Sequence, residues 1–423
     1  MAKFVTIDRD TPMLLPPDMR DWIPSNHLVH FVIDAIEAVD TSCAQVNHRG
    51  TGNEQYPPTM LLALLVYSYC VGMFSSRQIE RPSHTDVAVR LLCANTHPDH
   101  DTICAFRRKN GALLHSAFAQ ILEMAGRCGV LKVGQVTVAI DGTKILANAS
   151  KHAAVSYGYA EKRIEELDLE IKQLLEKAEQ ADSTPLQEGL TIPAEVQRRE
   201  ERQAAQEAGK KLPVRVPQAP TATPGEKDQV NFTDEESRIM KTKDGFQQCY
   251  NAQAAVETNS RLIVGNRVSQ APNDKQELVP DMKVVLEHVV PENVLIDSGF
   301  VSKEAIETVE KETPGLTVIA AMKREPHGRT VAQLEQREDP QPPPSTATFG
   351  QRMSQRTATA DGRALYKLRQ QTVEPVFGII KEAIGFRRFS LRGHEKASLE
   401  WNLVCLSYDI KRLHIMGAKL TKA

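Results

Sequence analysis

Residues 136–141, VTVAID, alternate as a buried strand does, yet no second strand pattern returns until about Gly245. Any sheet that uses this strand must therefore be completed across a long insert, and that requirement narrows the architecture more than any other feature. The insert, taken as 155–230, is charged and helical in pattern. Ile164, Leu167, Ile171, Leu174, Ala178 and Ala181 step by three and four among Glu and Lys, which is heptad spacing. A second charged run, AEVQRREERQAAQEAGKKL, follows at 194–212, so a solvated helical hairpin or a dimer coil is expected, the hairpin being the commoner outcome for so few heptads. VPQAPTATPGE at 216–226 then reads as a Pro-rich linker.

Beyond the insert, QCYNAQAAVE and RLIVGNRVSQ form a hairpin-like pair of strands. ELVPDMKVVLEHVV and SKEAIETVEK have helical periods, whereas ENVLID and LTVIAAMK read as buried strands. Strands alternating with helices after an initial strand and hairpin indicate an α/β fold, a mixed sheet flanked by helices. This sheet domain would span 132–154 and 246–412, interrupted by a disordered loop at 338–350 that contains DPQPPPSTATFG.

The segment 1–131 is expected to be an all-helical domain. Pro57 and Pro58 precede the apolar run TMLLALLVYSYCVGMF, as suits a helix start. That run is short for a membrane span and holds Ser68 and two tyrosines, so it is read as a buried core helix. HDTICAFRRKNGALLHSAFAQILEMA gives a further helical pattern carrying Arg107, Arg108 and Lys109. Periodicity alone fits a small DNA-binding bundle and a packing domain equally well. Cys93, His97, His100 and Cys104 have a spacing that invites a zinc site, but Cys93 and Cys104 sit in apolar runs and read better as core.

A chain of 423 residues exceeds one ordinary core, so several domains are expected. Its 52 Lys+Arg nearly balance 54 Asp+Glu, a net charge of −2 that names no partner. The distribution says more. Residues 351–423 hold 14 Lys/Arg and 6 Asp/Glu, a local balance of 14 − 6 = +8, which suits a localised polyanion site. Seven scattered cysteines and the opening MAKFVTIDRD, which is no signal peptide, point to a reducing cytoplasm and no membrane.

Three carboxylates stand out. Asp141 closes VTVAID and Asp297 closes VLID, each followed by small residues, so both are expected at the C-terminal rim of one sheet, where ligands favour α/β folds. Glu374 lies on an amphipathic helix whose buried face is Val373, Val376, Phe377, Ile380 and Ile384. Pro375 would place the start of that helix near Gln371 or Thr372. Glu374, Gly378, Lys381 and Gly385 then form a different, solvent-facing stripe, and Arg387, Arg388 and Arg392 follow, suited to phosphate. Three hard oxygen ligands are what a pair of Mg²⁺ ions needs for in-line displacement at phosphorus. The plainer alternatives are an Asp-Gly turn and a glutamate favouring a helix N-terminus.

DGTKILANASKH (141–152), NFTDEESRIMKTKDGFQQCYNAQAAVE (231–257), DSGF (297–300) and VEPVFGIIKEAIGFRRFSLRG (373–393) resemble insertion-sequence transposases of the DDE type. Within the four/five-like superfamily they are most similar to the eleven-eighty-two family of bacterial insertion sequences. YPPTMLLALLVYSYCVGMFSSRQIE and DHDTICAFRR resemble the N-terminal helical domain of the same family. The resemblance implies an RNase H-like fold, with Asp141, Asp297 and Glu374 as catalytic and metal-binding triad. It implies two Mg²⁺ ions, with Mn²⁺ as a substitute, and double-stranded DNA, both element ends and target, as partner. It further implies cleavage and strand transfer on DNA-paired ends by at least a homodimer, in a cytoplasmic, nucleoid-associated protein. The tyrosine–arginine–glutamate–lysine signature maps onto Tyr366, Arg369, Glu374 and Lys381, although four residues separate Arg369 from Glu374 where related elements have three. With Lys144, Arg387, Arg388 and Arg392, Tyr366, Arg369 and Lys381 form the expected DNA-contacting set. A metal-dependent nuclease that does not join, and a DNA-binding derivative with a dead site, are the rival readings.

Overall fold

The structure, a computed structural model, describes residues 18–47, 54–132, 136–150, 153–180, 229–322, 339–344 and 346–419, with positions 197, 200 and 204. Most of the expected 155–230 insert, including nearly all of its second charged run and the Pro-rich linker, lies outside them. The chain divides into two compact units, one of residues 1–128 with 406–423 and one of 129–405.

In the first unit the regular elements among the described residues are helical. Helices α1 (Leu28–Glu37), α2 (Pro58–Cys70), α3 (Ser76–Glu80), α4 (Pro82–Thr85), α5 (Val87–Leu92), α6 (His100–Lys109) and α7 (Gly111–Arg127) follow in order. Pro58 occupies the first turn of α2, where its missing N–H costs nothing, and every residue from Leu61 to Cys70 is buried. The single helical pattern read over 100–125 is two helices. Asn110 leaves helical geometry (φ −104°, ψ 41°) and turns its side-chain amide onto the Phe106 carbonyl at 3.0 Å, and Gly111 opens the next helix. Arg107 points inward, donating to Tyr69 Oη at 2.6 Å and the Phe74 carbonyl at 2.7 Å, whereas Arg108 and Lys109 remain exposed.

The second unit is built on a mixed sheet. Strands β1 (Val136–Leu146), β2 (Ala154–Ser156), β3 (Gln229–Asn231), β4 (Arg238–Thr242), β5 (Gly245–Glu257), β6 (Ile263–Ser269), β7 (Pro291–Ile296) and β8 (Thr317–Ala320) are accompanied, among the described residues, by five helices. These are α8 (Tyr157–Gln180), α9 (Leu278–Leu286), α10 (Lys303–Glu312), α11 (Phe349–Ala358) and α12 (Ala360–Gly378). A final helix, α13 (His394–Ile415), starts in this unit and ends in the first. The sheet order is β4-β5-β1-β7-β8, with β6 also on β5; β2 and β3 form a separate pair. β5 runs antiparallel to β1, whereas β7 and β8 run parallel to it. β4 pairs with β5 from Gly245 to Cys249 and β6 pairs with it from Asn251 to Val256, so the two share one edge end to end.

The helix α8 buries Ile164, Leu167 and Ile171 of the predicted heptad. Across the loop expected at 338–350, residues 339–344 form no helix or strand. It ends early, because Thr348 caps α11 by accepting from the Gln351 N–H at 3.3 Å. The amphipathic segment is also longer than Pro375 suggested. α12 begins at Ala360, capped by Thr359, and carries Pro375 near its end. The ring removes one backbone donor, which would have bonded the carbonyl of exposed Gln371, and the helix then widens into a π turn over Ile379–Ala383.

Candidate functional site

β1 does not end at Asp141, as the Asp-Gly step suggested; it continues to Leu146 because β5 pairs with it from Val138 through Leu146, Asp141 opposite Ala254. The rim arises from β7 instead. Its last described pair with β1 is Ala139 with Leu295, a register offset of 295 − 139 = 156. The same offset sets Asp141 level with Asp297, one residue past the end of β7, and equal parity turns both side chains to one face. Asp297 also caps a single turn at Ser298–Phe300 by accepting from the Gly299 N–H.

Glu374 arrives from α12, four residues before the end of that helix and not in its first turn. A carboxylate there gains nothing from the helix dipole, so another charge has to hold it. That charge is Arg369. Its Nη2 lies 3.2 Å from Asp297 Oδ2 and 3.4 Å from Asp141 Oδ2, and its Nη1 lies 3.2 Å from Glu374 Oε1. One guanidinium, its side chain 7% exposed, thus joins carboxylates from β1, the end of β7 and α12. The extra residue between Arg369 and Glu374 does not separate them.

The three carboxylates sit in graded environments. Burial pushes the Asp141 carboxyl up to about 6 although Arg369 pulls the other way, and its Oδ1 accepts from the Gly142 N–H at 2.9 Å. Asp297 is 40% and Glu374 55% exposed, so the site opens toward solvent on their side. Oxygen-only donors of this kind suit a hard cation such as Mg²⁺. The donor set fits, but with Arg369 between them the three carboxylates are spread too widely to enclose an ion, and among the described residues no group of three His, Cys, Asp or Glu is placed closely enough to hold one as it stands.

The expected DNA-contacting residues divide into two sets. Tyr366 is half-buried beside Arg369 and Asp297, and burial raises its hydroxyl pKa. Lys381 donates to the Lys144 carbonyl at 3.0 Å, and burial lowers its ammonium pKa. Lys144 is largely buried and lies 4.0 Å from Asp274, with its ammonium also pushed down by burial. Arg387, Arg388 and Arg392 are exposed, apart from the core of the site. Arg387 pairs with Glu382, and Arg392 Nε donates to the Asn148 carbonyl at 3.0 Å. The loop bearing them is tied down by Glu400, which is fully buried and accepts from the Ser390 and Leu391 N–H groups at 2.8 and 3.0 Å.

Sequence reasoning missed two contributors. Asp274 accepts from Asn251 Nδ2 at 2.7 Å and Gln253 Nε2 at 2.8 Å, and this cluster lies directly against Gly142. The small residue after Asp141 therefore makes room for the protein's own polar side chains. The YNAQ stretch was the available signal, and nothing local marked Asp274. Glu400 was missed because α13 is buried nearly all round from Glu400 to Ile410 and shows no amphipathic period. Of the residues with zinc-like spacing near residue 100, His97 bonds Ser83 at 3.3 Å, His100 pairs with Glu80 at 2.8 Å and Cys93 is buried.

Comparison with known proteins gives two matches. Residues 340–414 match the family model described as transposase DDE domain, and residues 17–109 match the one described as transposase domain (DUF772). The first stretch contains Glu374, Arg369, Tyr366 and Lys381, whereas Asp141 and Asp297 fall outside both. Neither covers half of the chain, and both support a DNA transposase. No curated protein and no solved structure matches. Among the described residues no helix is long and apolar enough to cross a membrane.

Proposed function

We propose that the chain is a DNA transposase that cleaves the ends of an insertion sequence and joins them to target DNA, with Asp141, Asp297 and Glu374 as a metal-binding catalytic triad. The observation that carries this reading is the meeting of those carboxylates, from three separate elements, on one buried guanidinium. Carboxylates so far apart in sequence converge at a cost in desolvation, which function explains better than stability does. The strand order, with an antiparallel β5 between β6 and β1 and then parallel β7 and β8, supports an RNase H-like catalytic domain.

Asp141, Asp297 and Glu374 would hold two Mg²⁺ ions, or Mn²⁺ in their place. Bound Mg²⁺ supplies Lewis-acid stabilisation of charge developing on the phosphate oxygens. The protein's own groups position the DNA. Arg387, Arg388 and Arg392, exposed on a loop fixed by Glu400, are suited to backbone phosphates and carry no base information. Tyr366 lies beside Asp297 and Arg369, and Lys381 sits on the Lys144 carbonyl, three residues along β1 from Asp141; both are proposed to contact DNA near the scissile phosphate. Lys144 acts from inside, balancing Asp274 rather than facing DNA. The eleven-eighty-two-like assignment, a homodimer on paired DNA ends and a nucleoid-associated location in the cytoplasm complete the reading.

The test is cleavage of supercoiled plasmid carrying element ends, with Mg²⁺, by wild type and Asp297→Asn. The substitution keeps the shape and removes the charge. Cleaved and joined products that vanish in the variant are expected. Equal activity in both proteins would reduce Asp297 to a turn cap, and cleavage without joining would make the protein a nuclease.

A further inference from the structure

We infer that Arg369 and a divalent cation compete for the same carboxylate oxygens, so that Arg369 is a displaceable internal counter-ion of the triad. The inference rests on the triad assignment made above and concerns how that site is filled. It follows from which oxygens are free. Asp141 Oδ1 is committed to the Gly142 N–H and Asp297 Oδ1 to the Gly299 N–H. The remaining oxygens, Asp141 Oδ2 and Asp297 Oδ2, are the two that Arg369 Nη2 holds, and Nη1 takes Glu374 Oε1. A divalent cation needs those oxygens at roughly 2.0–2.1 Å. The two terminal nitrogens of one guanidinium, Nη2 at 3.4 and 3.2 Å from Asp141 and Asp297 and Nη1 at 3.2 Å from Glu374, occupy the space between them.

Two further observations favour departure over sharing. Arg369 Nε is buried without a hydrogen-bond partner, so the guanidinium is incompletely satisfied where it sits. Arg369 also carries one charge against three carboxylates, whereas two divalent ions carry four. Held on the same helix as Glu374, five residues away, the released guanidinium stays within reach of a phosphate entering the site, a partner it binds bidentately. Arg369 is then a positioning residue: it gathers the carboxylates and cedes them to the cation.

The experiment is Mn²⁺ titration of the full-length protein, read by the electron paramagnetic resonance of free Mn²⁺, for wild type, Arg369→Gln and Asp297→Asn. Removing a competing cation should tighten Mn²⁺ binding by at least about tenfold in Arg369→Gln, and Asp297→Asn should lose it. A merely structural arginine would weaken binding when removed. Unchanged or weaker binding in Arg369→Gln, with loss in Asp297→Asn, overturns the competition and leaves the triad standing. Equal binding in wild type and Asp297→Asn overturns the triad itself. Because Arg369→Gln could fail to fold, a second measurement uses the unaltered protein, namely phenylglyoxal labelling of Arg369 followed by peptide mass spectrometry. Labelling that rises with Mn²⁺ supports displacement; labelling unchanged or reduced by Mn²⁺ refutes it.

Discussion

Gly142→Ala should destabilise the sheet unit by about 3–6 kcal/mol, the loss of two charge-assisted hydrogen bonds at roughly 1.5–3 kcal/mol each. A Cβ at this position would lie 2.5 Å from Gln253 Nε2, 2.7 Å from Asp274 Oδ1 and 2.8 Å from Asn251 Oδ1. Asn251 and Gln253, 0% and 1% exposed, have no room to retreat, whereas the Asp274 side chain is 22% exposed and can move. The methyl group therefore drives Asp274 off the two amides that hold it at 2.7 and 2.8 Å. Urea unfolding followed by fluorescence of Trp401 is the suitable assay, since that indole is fully buried and donates to the Gln253 carbonyl at 2.9 Å. Gly378→Ala is the internal control. Gly378 is helical and exposed with nothing near its Cβ position, so the same change there should be neutral or stabilise by about 0.5–1 kcal/mol. Adding Asp274→Ala to Gly142→Ala should recover part of the loss, because the two changes act on one contact. A Gly142→Ala protein within about 1 kcal/mol of wild type would refute the crowding argument.

Arg267→Met strips the counter-charge from Glu277 and Asp281, whose side chains are 7% and 4% exposed, and should cost about 3–5 kcal/mol near pH 8. Burial already raises the Asp281 carboxyl to about 7. A carboxyl raised in the folded state adds stability below its unfolded value of about 4 and loses it as pH climbs through the folded value, so the cost should shrink toward pH 5. Unfolding curves at pH 5 and 8 giving the same difference would contradict this. Glu400→Gln should loosen the loop of Arg387, Arg388 and Arg392 by weakening the acceptor of the Ser390 and Leu391 N–H groups, at about 1–3 kcal/mol. Its DNA binding should weaken at low salt, which a mobility-shift titration would read, and unaltered affinity would detach that loop from DNA. Burial raises the thiols of Cys70 and Cys93 to about 12, so iodoacetamide at pH 8 should label exposed Cys43 and spare both in the native protein. Mass spectrometry showing equal labelling would place one of those thiols at the surface.

The parts of the fold legible in the sequence are those whose cause is local. VTVAID, VLID and the stepped apolar residues at 373–384 declare a strand or a helix face because burial repeats with a period of 2 or about 3.6. Where burial surrounds an element the period vanishes, and α13, from Glu400 to Ile410, was accordingly invisible. Asn110 was passed over because one residue outside helical geometry changes no pattern of polarity. Pro375 misled for the opposite reason. A strong local rule was overridden, since the carbonyl left without a donor belongs to Gln371, which faces solvent.

The candidate site divides along the same line. Each carboxylate could be nominated from its neighbours, and the spacing 297 − 141 = 156 was plain from the start. Only pairing gives that number a meaning, as the register offset between β1 and β7. A spacing that spans an insert carries no information by itself, because a longer insert would change the number and leave the register intact. The same holds for Gly142. Its smallness read as the mark of a sheet rim, when the neighbour it accommodates is Asp274, more than a hundred residues on, held by two amides from the adjacent strand. Arg369 makes the point most sharply. Its one-residue slip against Glu374 cast doubt on its place when helical spacing was the only guide. A side chain that long reaches three elements at once, so the guanidinium's position is set by the charges around it more than by its register on the helix.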